Sequence, residues 1–78
     1  MTRRVGEKHR PALSLREGQV LELVVEGCTN REIADRFSLS VRTVETYRER
    51  LMRKLDIHTV AGLTRYAIAS GLVKILEK

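Results

Sequence analysis

Residues 40–55 read SVRTVETYRERLMRKL. Ser40 opens the stretch as an N-cap, since its side-chain oxygen can accept from a backbone N–H that the first helical turn leaves unpaired. Val41, Val44, Tyr47, Leu51 and Leu55 then recur at the three-to-four spacing of a helix that buries one stripe. At ~100° per residue, Arg42, Glu45, Thr46, Glu49 and Arg53 fall on the opposite side, with Arg50 beside them. From 41 to 55 there are five basic and two acidic residues, a local charge of +3. Alone, this is the pattern of an ordinary surface helix with a solvated face. The residues before it give it a sharper reading.

Thr29-Asn30-Arg31-Glu32 has the T-x-x-E spacing of a capping box. It predicts a short helix over 30–37, with Ile33, Ala34 and Phe37 on its buried side. Ser38-Leu39-Ser40 is then a three-residue connection to the helix over 41–55. Two helices joined by so short a turn form a helix-turn-helix. The small Ala34 suits the point where the two helices cross. The turn often takes Gly, where a left-handed backbone is easiest. Here Ser38 occupies that position.

Working outward, Ser14-Leu15-Arg16-Glu17 is a second capping box and starts a helix whose apolar face is Val20, Leu21, Val24 and Val25, widened by Leu23. Gly27 suits the left-handed residue that ends it. Gly18 lies inside this helix at a cost of ~1 kcal/mol relative to Ala, with no reason visible in the sequence. Towards the C-terminus, Thr59 caps a fourth helix and Gly71 stops it. Val60, Leu63, Tyr66 and Ala67 make its inward stripe. Ala61, Thr64, Arg65 and Ile68 point the other way. Ile68 is large and apolar there, and small Ala61 and Ala69 allow close approach, so this face is read as a homodimer contact. A singly exposed apolar residue is the plainer alternative. Residues 1–12, with a local charge of +3, are read as a flexible basic arm or linker, and 13–78 as the folded domain. The segment from Leu72 to Leu76 either wraps back on the first helix or extends the fourth.

The chain has 78 residues, 42% of them hydrophobic, with one Phe, two Tyr and no Trp. That describes one small all-α domain with an aliphatic core, a four-helix bundle-like arrangement around the helix-turn-helix. No apolar run approaches the ~20 residues of a membrane span, and the N-terminus lacks a signal peptide's apolar stretch. The lone Cys28 excludes an internal disulfide and fits a reducing, cytoplasmic setting. A net charge of +5 points to a polyanionic partner. RNA is disfavoured by the want of stacking aromatics, and a membrane surface by the helix that follows and can cover the apolar side of 41–55. An enzyme is disfavoured too. His9 and His58 lack neighbouring ligands, Cys28 has no partner for zinc or redox chemistry, and there is no phosphate loop or carboxylate pair. No cofactor and no metal are expected. Cys28, beside a helix N-terminus, leaves a redox switch open against an inert small residue at a turn.

The spaced residues Leu15-Arg16-Glu17, Val20-Leu21, Gly27, Asn30-Arg31-Glu32-Ile33-Ala34, Ser40-Val41-Arg42-Thr43-Val44-Glu45, Lys54-Leu55 and Gly71-Leu72 together resemble the LuxR-type (GerE/NarL/FixJ) helix-turn-helix domain. The likeness spans 13–73 and is nearest the FixJ-like response-regulator branch. It implies four helices, the third reading the major groove of double-stranded DNA, with dimers through the fourth. A transcriptional regulator controlled from outside this chain follows, with RNA polymerase as a further candidate partner. Base reading is then expected of Arg42, Glu45, Thr46 and Glu49. Phosphate gripping is expected of Thr43, Arg50, Arg53 and Lys54, and of backbone N–H groups near Thr29 and Asn30. The family often has Lys where Glu45 stands and His where Tyr47 stands. Glu45 either accepts from a cytosine N4 amino group or holds Arg42 or Arg48 by helical pairing, and Glu49 either reads a base or pairs with Arg53. A sigma-factor-like monomer and a pure protein-interaction module are the competing readings.

Overall fold

Every helix start expected from the sequence is present. In the computed structural model, which describes residues 13–72, the helices are α1 (Leu15–Val25), α2 (Asn30–Phe37), α3 (Val41–Leu55) and α4 (Val60–Ala69). There is no strand among the described residues. Ser14, Thr29, Ser40 and Thr59 are the four N-caps, each accepting from a backbone N–H three residues on. Both capping boxes are closed. Ser14 N–H donates to Glu17 Oε1 at 2.8 Å while Glu17 N–H donates to Ser14 Oγ at 3.1 Å, and Thr29 and Glu32 repeat the pair at the same distances. Each such cap contributes about 1 kcal/mol.

The helix ends share one device. Gly27, Ser38, Asp56 and Gly71 all have left-handed backbones, with φ of 97°, 57°, 56° and 82°. After each, the next N–H reaches back five residues: Cys28 to Leu23 O, Leu39 to Ala34 O, Ile57 to Met52 O and Leu72 to Ala67 O, at 2.8–3.1 Å. This is the Schellman closure, in which the residue after the left-handed one turns inward. Cys28, Leu39, Ile57 and Leu72 are all partly buried against the core. Cys28 is therefore one of four equivalent plugs, and packing accounts for its place at the α1–α2 turn. Ser38 takes the left-handed turn of the helix-turn-helix as the sequence implied. Asp56 does the same after α3, which was not foreseen.

α1 is the hub and packs against each of the other three helices. Val20, Leu21, Leu23, Val24, Ile33, Ala34, Val44, Leu51 and Leu63 form one continuous buried cluster. At about 1.5–3 kcal/mol per fully buried aliphatic side chain, this cluster is the main term holding α3 in place. Two expected core residues lie outside it. Val41 is 36% exposed and Val60 is 47% exposed. Both sit in the first turn of their helices, beyond the reach of α1, so periodicity placed them on the right side of a helix end that nothing covers. Tyr47 and Leu55 are half-buried. The arm, residues 1–12, and the continuation of the tail past Leu72 lie outside the described residues.

One core group is charged. Glu17 is 2% exposed, and its Oε1 accepts from Lys54 Nζ at 2.8 Å as well as from Ser14 N–H. Burial pushes the Glu17 carboxyl up, but the bonds and charge of Lys54 and the bonds from Ser14 outweigh it, and the net direction is down. A lowered carboxyl contributes stability that is complete above the unfolded-state carboxylate range and is lost as pH falls through the lower folded value. A pH series of thermal melts therefore loses stability on the acid side, and Glu17→Gln flattens that limb.

The glycines divide by surroundings. A Cβ on Gly18 would meet nothing within 4 Å, whereas one on Gly62 would stand 2.6 Å from Ile57 Cγ2, a stiff β-branched methyl. Gly18→Ala is expected to raise stability by roughly 0.5–1 kcal/mol by helix propensity. Gly62→Ala is expected to lower it by roughly 1–3 kcal/mol by overpacking the α3–α4 turn. Denaturant titration of the two variants gives opposite shifts in midpoint; shifts of the same sign contradict this account.

Candidate nucleic-acid interface

α3 presents its polar flank to solvent because its apolar flank is occupied. Val44 and Leu51 are fully buried, while Arg42, Glu45, Thr46, Glu49, Arg50 and Arg53 are all exposed. Arg42, Glu45, Thr46 and Glu49 together line a shallow recess of about 280 Å³, so the four residues expected to read bases lie side by side. A larger cleft, about 390 Å³, lies between α1 and α4, bordered by Leu13, Leu15, Gly18, Glu22, Tyr66 and Leu72. No α3 residue borders it, and its lining carries no cluster of ionisable or ligand side chains.

The hydroxyls at the start of α3 are already in use. Ser40 Oγ–H donates to Thr43 Oγ1 at 2.9 Å, and Thr43 N–H donates to Ser40 Oγ at 3.0 Å. The Thr43 hydroxyl thus serves as acceptor within the cap and keeps its own proton to donate. Thr46 Oγ1 donates to the Arg42 carbonyl at 3.1 Å, one turn back. Its hydroxyl proton is committed to the backbone, so towards a ligand it offers its methyl and an acceptor oxygen but no donor.

The expected phosphate grips fall into separate groups. Arg50 and Arg53 are exposed, with the Arg50 guanidinium carbon 6.0 Å from the centre of the Tyr47 ring. Lys54 is directed to Glu17 on α1 and ties the end of α3 to the hub. The reading of Lys54 as a phosphate grip had not included this anchoring role. At the start of α2, the Thr29 N–H is taken by Glu32, whereas the Asn30 N–H has no acceptor among the described residues. Asn30 Oδ1 accepts from Arg48 Nη1 at 3.0 Å. The bond holds the middle of α3 to the N-terminus of α2 and brings a guanidinium to the end of a helix that favours anions. Arg48 was counted in the charge of the helix and named as a pairing partner for Glu45, but not as a DNA contact. Its partner lies 18 residues away, beyond what helical periodicity can report.

Glu45 and Glu49 form no ion pair among the described residues, so the intrahelical pairings with Arg42, Arg48 or Arg53 are not made. On α4, Ala61 and Arg65 are exposed, Thr64 is half-buried and Ile68 is 38% exposed. Thr64 Oγ1 donates to the Val60 carbonyl at 2.9 Å. Val60, Thr64 and Ile68, four residues apart, lie along one side of α4, with Val60 and Ile68 exposed and Thr64 half-buried. Among the described residues no His, Cys, Asp and Glu gather as a metal site. No helix there is long and apolar enough to cross a membrane.

A short helix, a left-handed turn and a second helix with a buried apolar stripe and an exposed, charged flank define a helix-turn-helix DNA-binding domain. The model of the family described as bacterial regulatory proteins, luxR family, matches residues 11–67, and the chain belongs to that family of DNA-binding transcriptional regulators, which are not enzymes. It is 45% identical over 73 residues to the transcriptional regulatory protein MctR of Rhizobium johnstonii, covering 94% of this chain and 34% of that protein. It is 43% identical over 63 residues to the uncharacterized response regulatory protein YgeK of Escherichia coli, covering 81% and 43%. With the transcriptional regulatory protein FixJ of Bradyrhizobium diazoefficiens it shares 37% identity over 62 residues, covering 80% and 30%. The chain thus spans less than half the length of these relatives.

Lys54 and Arg53 are adjacent yet should behave differently. Breaking a buried pair costs ~3–5 kcal/mol, but Lys54 is 40% exposed, so Lys54→Ala is expected to cost about 1–2 kcal/mol. Arg53→Ala should stay within about 0.5 kcal/mol of wild type. Equal melting temperatures for the two variants would remove the anchoring role given to Lys54.

Proposed function

We propose that this domain binds specific sites on double-stranded DNA as a homodimer, with α3 in the major groove and α4 pairing the two copies. The observation that carries the reading is the division of α3: a fully buried apolar stripe and, opposite it, six exposed residues that hydrogen-bond or carry charge. The major groove, ~12 Å wide, admits one α-helix, and its base edges carry a distinct pattern for each pair. Arg42, Glu45, Thr46 and Glu49 meet base edges. Thr43, Arg48, Arg50, Arg53 and the Asn30 N–H hold the phosphates on either side, which fixes register without reading sequence. Lys54 contributes positive charge from its anchored position.

The ridge of Val60, Thr64 and Ile68, flanked by Ala61 and Arg65, is the surface on which the second copy packs. A two-fold dimer presents the same patch twice, so its site is a repeat of two half-sites about one helical turn apart. Relatives named as response and transcriptional regulatory proteins support transcriptional control as the output. In such control RNA polymerase is the machinery acted upon.

Titration of the domain with random-sequence duplex at several salt concentrations tests the phosphate roles. Arg50→Ala and Arg53→Ala should each weaken binding to every sequence alike and reduce the salt slope by roughly one phosphate's share, ~0.9. Enrichment from a random duplex pool should return two-fold repeats. Ile68→Glu should reduce them to single half-sites while leaving the fold intact. Unaltered salt slopes in both arginine variants, or single half-sites from the wild-type domain, contradict the reading.

A further inference from the structure

The reading face of α3 is unusual for a surface that meets a polyanion, because its centre is acidic. Glu45 and Glu49 stand one turn apart in the same recess, and neither is neutralised by a neighbouring arginine. Arg48, three positions after Glu45, is committed to Asn30. An ionised carboxylate accepts hydrogen bonds and donates none. Brought into the groove it loses water and is repelled by phosphates, so only a base edge that offers a donor compensates it.

Two exocyclic amino groups are offered in the major groove, N4 of cytosine and N6 of adenine. Adenine sets its N7 acceptor beside that amino group, and an acceptor beside a carboxylate is repulsive. Adenine's amino group has thymine O4 on its other side, whereas cytosine N4 has an acceptor on one side only, guanine O6 of its own pair. Thr46 adds to the pattern: with its hydroxyl proton committed to the Arg42 carbonyl, it offers bases no donor, and its methyl suits the thymine methyl. Arg42, with no partner among the described residues, is free to take guanine O6 and N7. The seven steps from Arg42 to Glu49 advance about 10.5 Å along the helix, roughly the rise of three base pairs.

We propose that Glu45 and Glu49 are specificity-determining residues that select cytosine, within a half-site core of about three base pairs. The inference rests on the groove assignment above. The carboxylates act chiefly by exclusion, since a guanine or thymine edge, which presents acceptors and no donor, leaves a desolvated charge unmatched. They lower affinity for DNA at large and widen the gap between the right half-site and the rest.

The test is enrichment from a random duplex pool with the wild-type domain and with Glu45→Gln and Glu49→Gln, beside a salt titration on random duplex. Glutamine keeps the shape and pairs well with adenine N6 and N7. Wild type should return cytosine at a fixed place in the half-site. Glu45→Gln should shift that place towards adenine, with roughly tenfold loss of preference for cytosine. Both variants should bind random duplex more tightly than wild type. If all three proteins select the same bases, or the wild-type half-site lacks cytosine, the inference is overturned while the groove reading stands. Salt-independent, weak binding by all three would instead remove the groove reading itself.

Discussion

α3 is held by a narrow strip, and the rest of the molecule follows from that. Of its fifteen residues only Val44 and Leu51, two turns apart, are fully buried. Tyr47, Met52 and Leu55 add partial contact. A stripe this thin fixes where the helix lies but resists rolling only weakly. The roll is set by polar ties at its margins: Arg48 to Asn30 on α2, and Lys54 to Glu17 on α1. Each crosses to a different helix, so together they brace α3 from two sides. What remains outside the strip is left for another molecule.

A chain of this size has little core to spend on holding that geometry. The described helices instead begin with a side-chain cap and end with a left-handed residue followed by an apolar plug. The pattern aligns each loop with the hub, because the plug at the end of one helix packs into the cluster that orients the next. Ser38 and Asp56 accept a left-handed backbone where glycine would fit more easily. Both flank α3, one before it and one after. A non-glycine residue narrows the freedom of the unfolded chain at those turns, which offsets part of the strain.

Local chemistry was legible in the sequence and distant chemistry was not. The four caps, the bounds of α2 and α3 and the exposed polar face of α3 all follow from residues within four positions of one another. Val41 and Val60 were placed inside because periodicity reports a helix face but not how far along it the neighbouring helix extends. The Glu17–Lys54 pair joins residues 37 apart, and nothing in either neighbourhood signals it. The capping box at Ser14 concealed it further, since a capping glutamate is ordinarily exposed and needs no other partner. Cys28 was weighed as a possible reactive thiol, yet the same reading had already placed Gly27 as a left-handed stop. An apolar residue after such a stop carries its own reason to be there.

The charge on the reading helix divides in the same way as its contacts. Arg50, Arg53 and Lys54 stand towards the end of the helix and Arg48 at its margin with α2, while Glu45 and Glu49 share a recess with Arg42 and Thr46; on the proposed groove assignment the first set would lie near phosphates and the second near base edges. Positive charge at the margin attracts every duplex equally. Negative charge in the middle would lower attraction to all of them and be offset only where a base edge sets a donor against the carboxylate. On the proposed assignment a single domain would bind modestly on its own. Pairing through α4, as proposed, would supply what is missing: joining two weak readers makes the second contact intramolecular and multiplies discrimination as well as affinity. An acidic reading centre and a pairing surface would then be complementary features, each explaining why the other is tolerated.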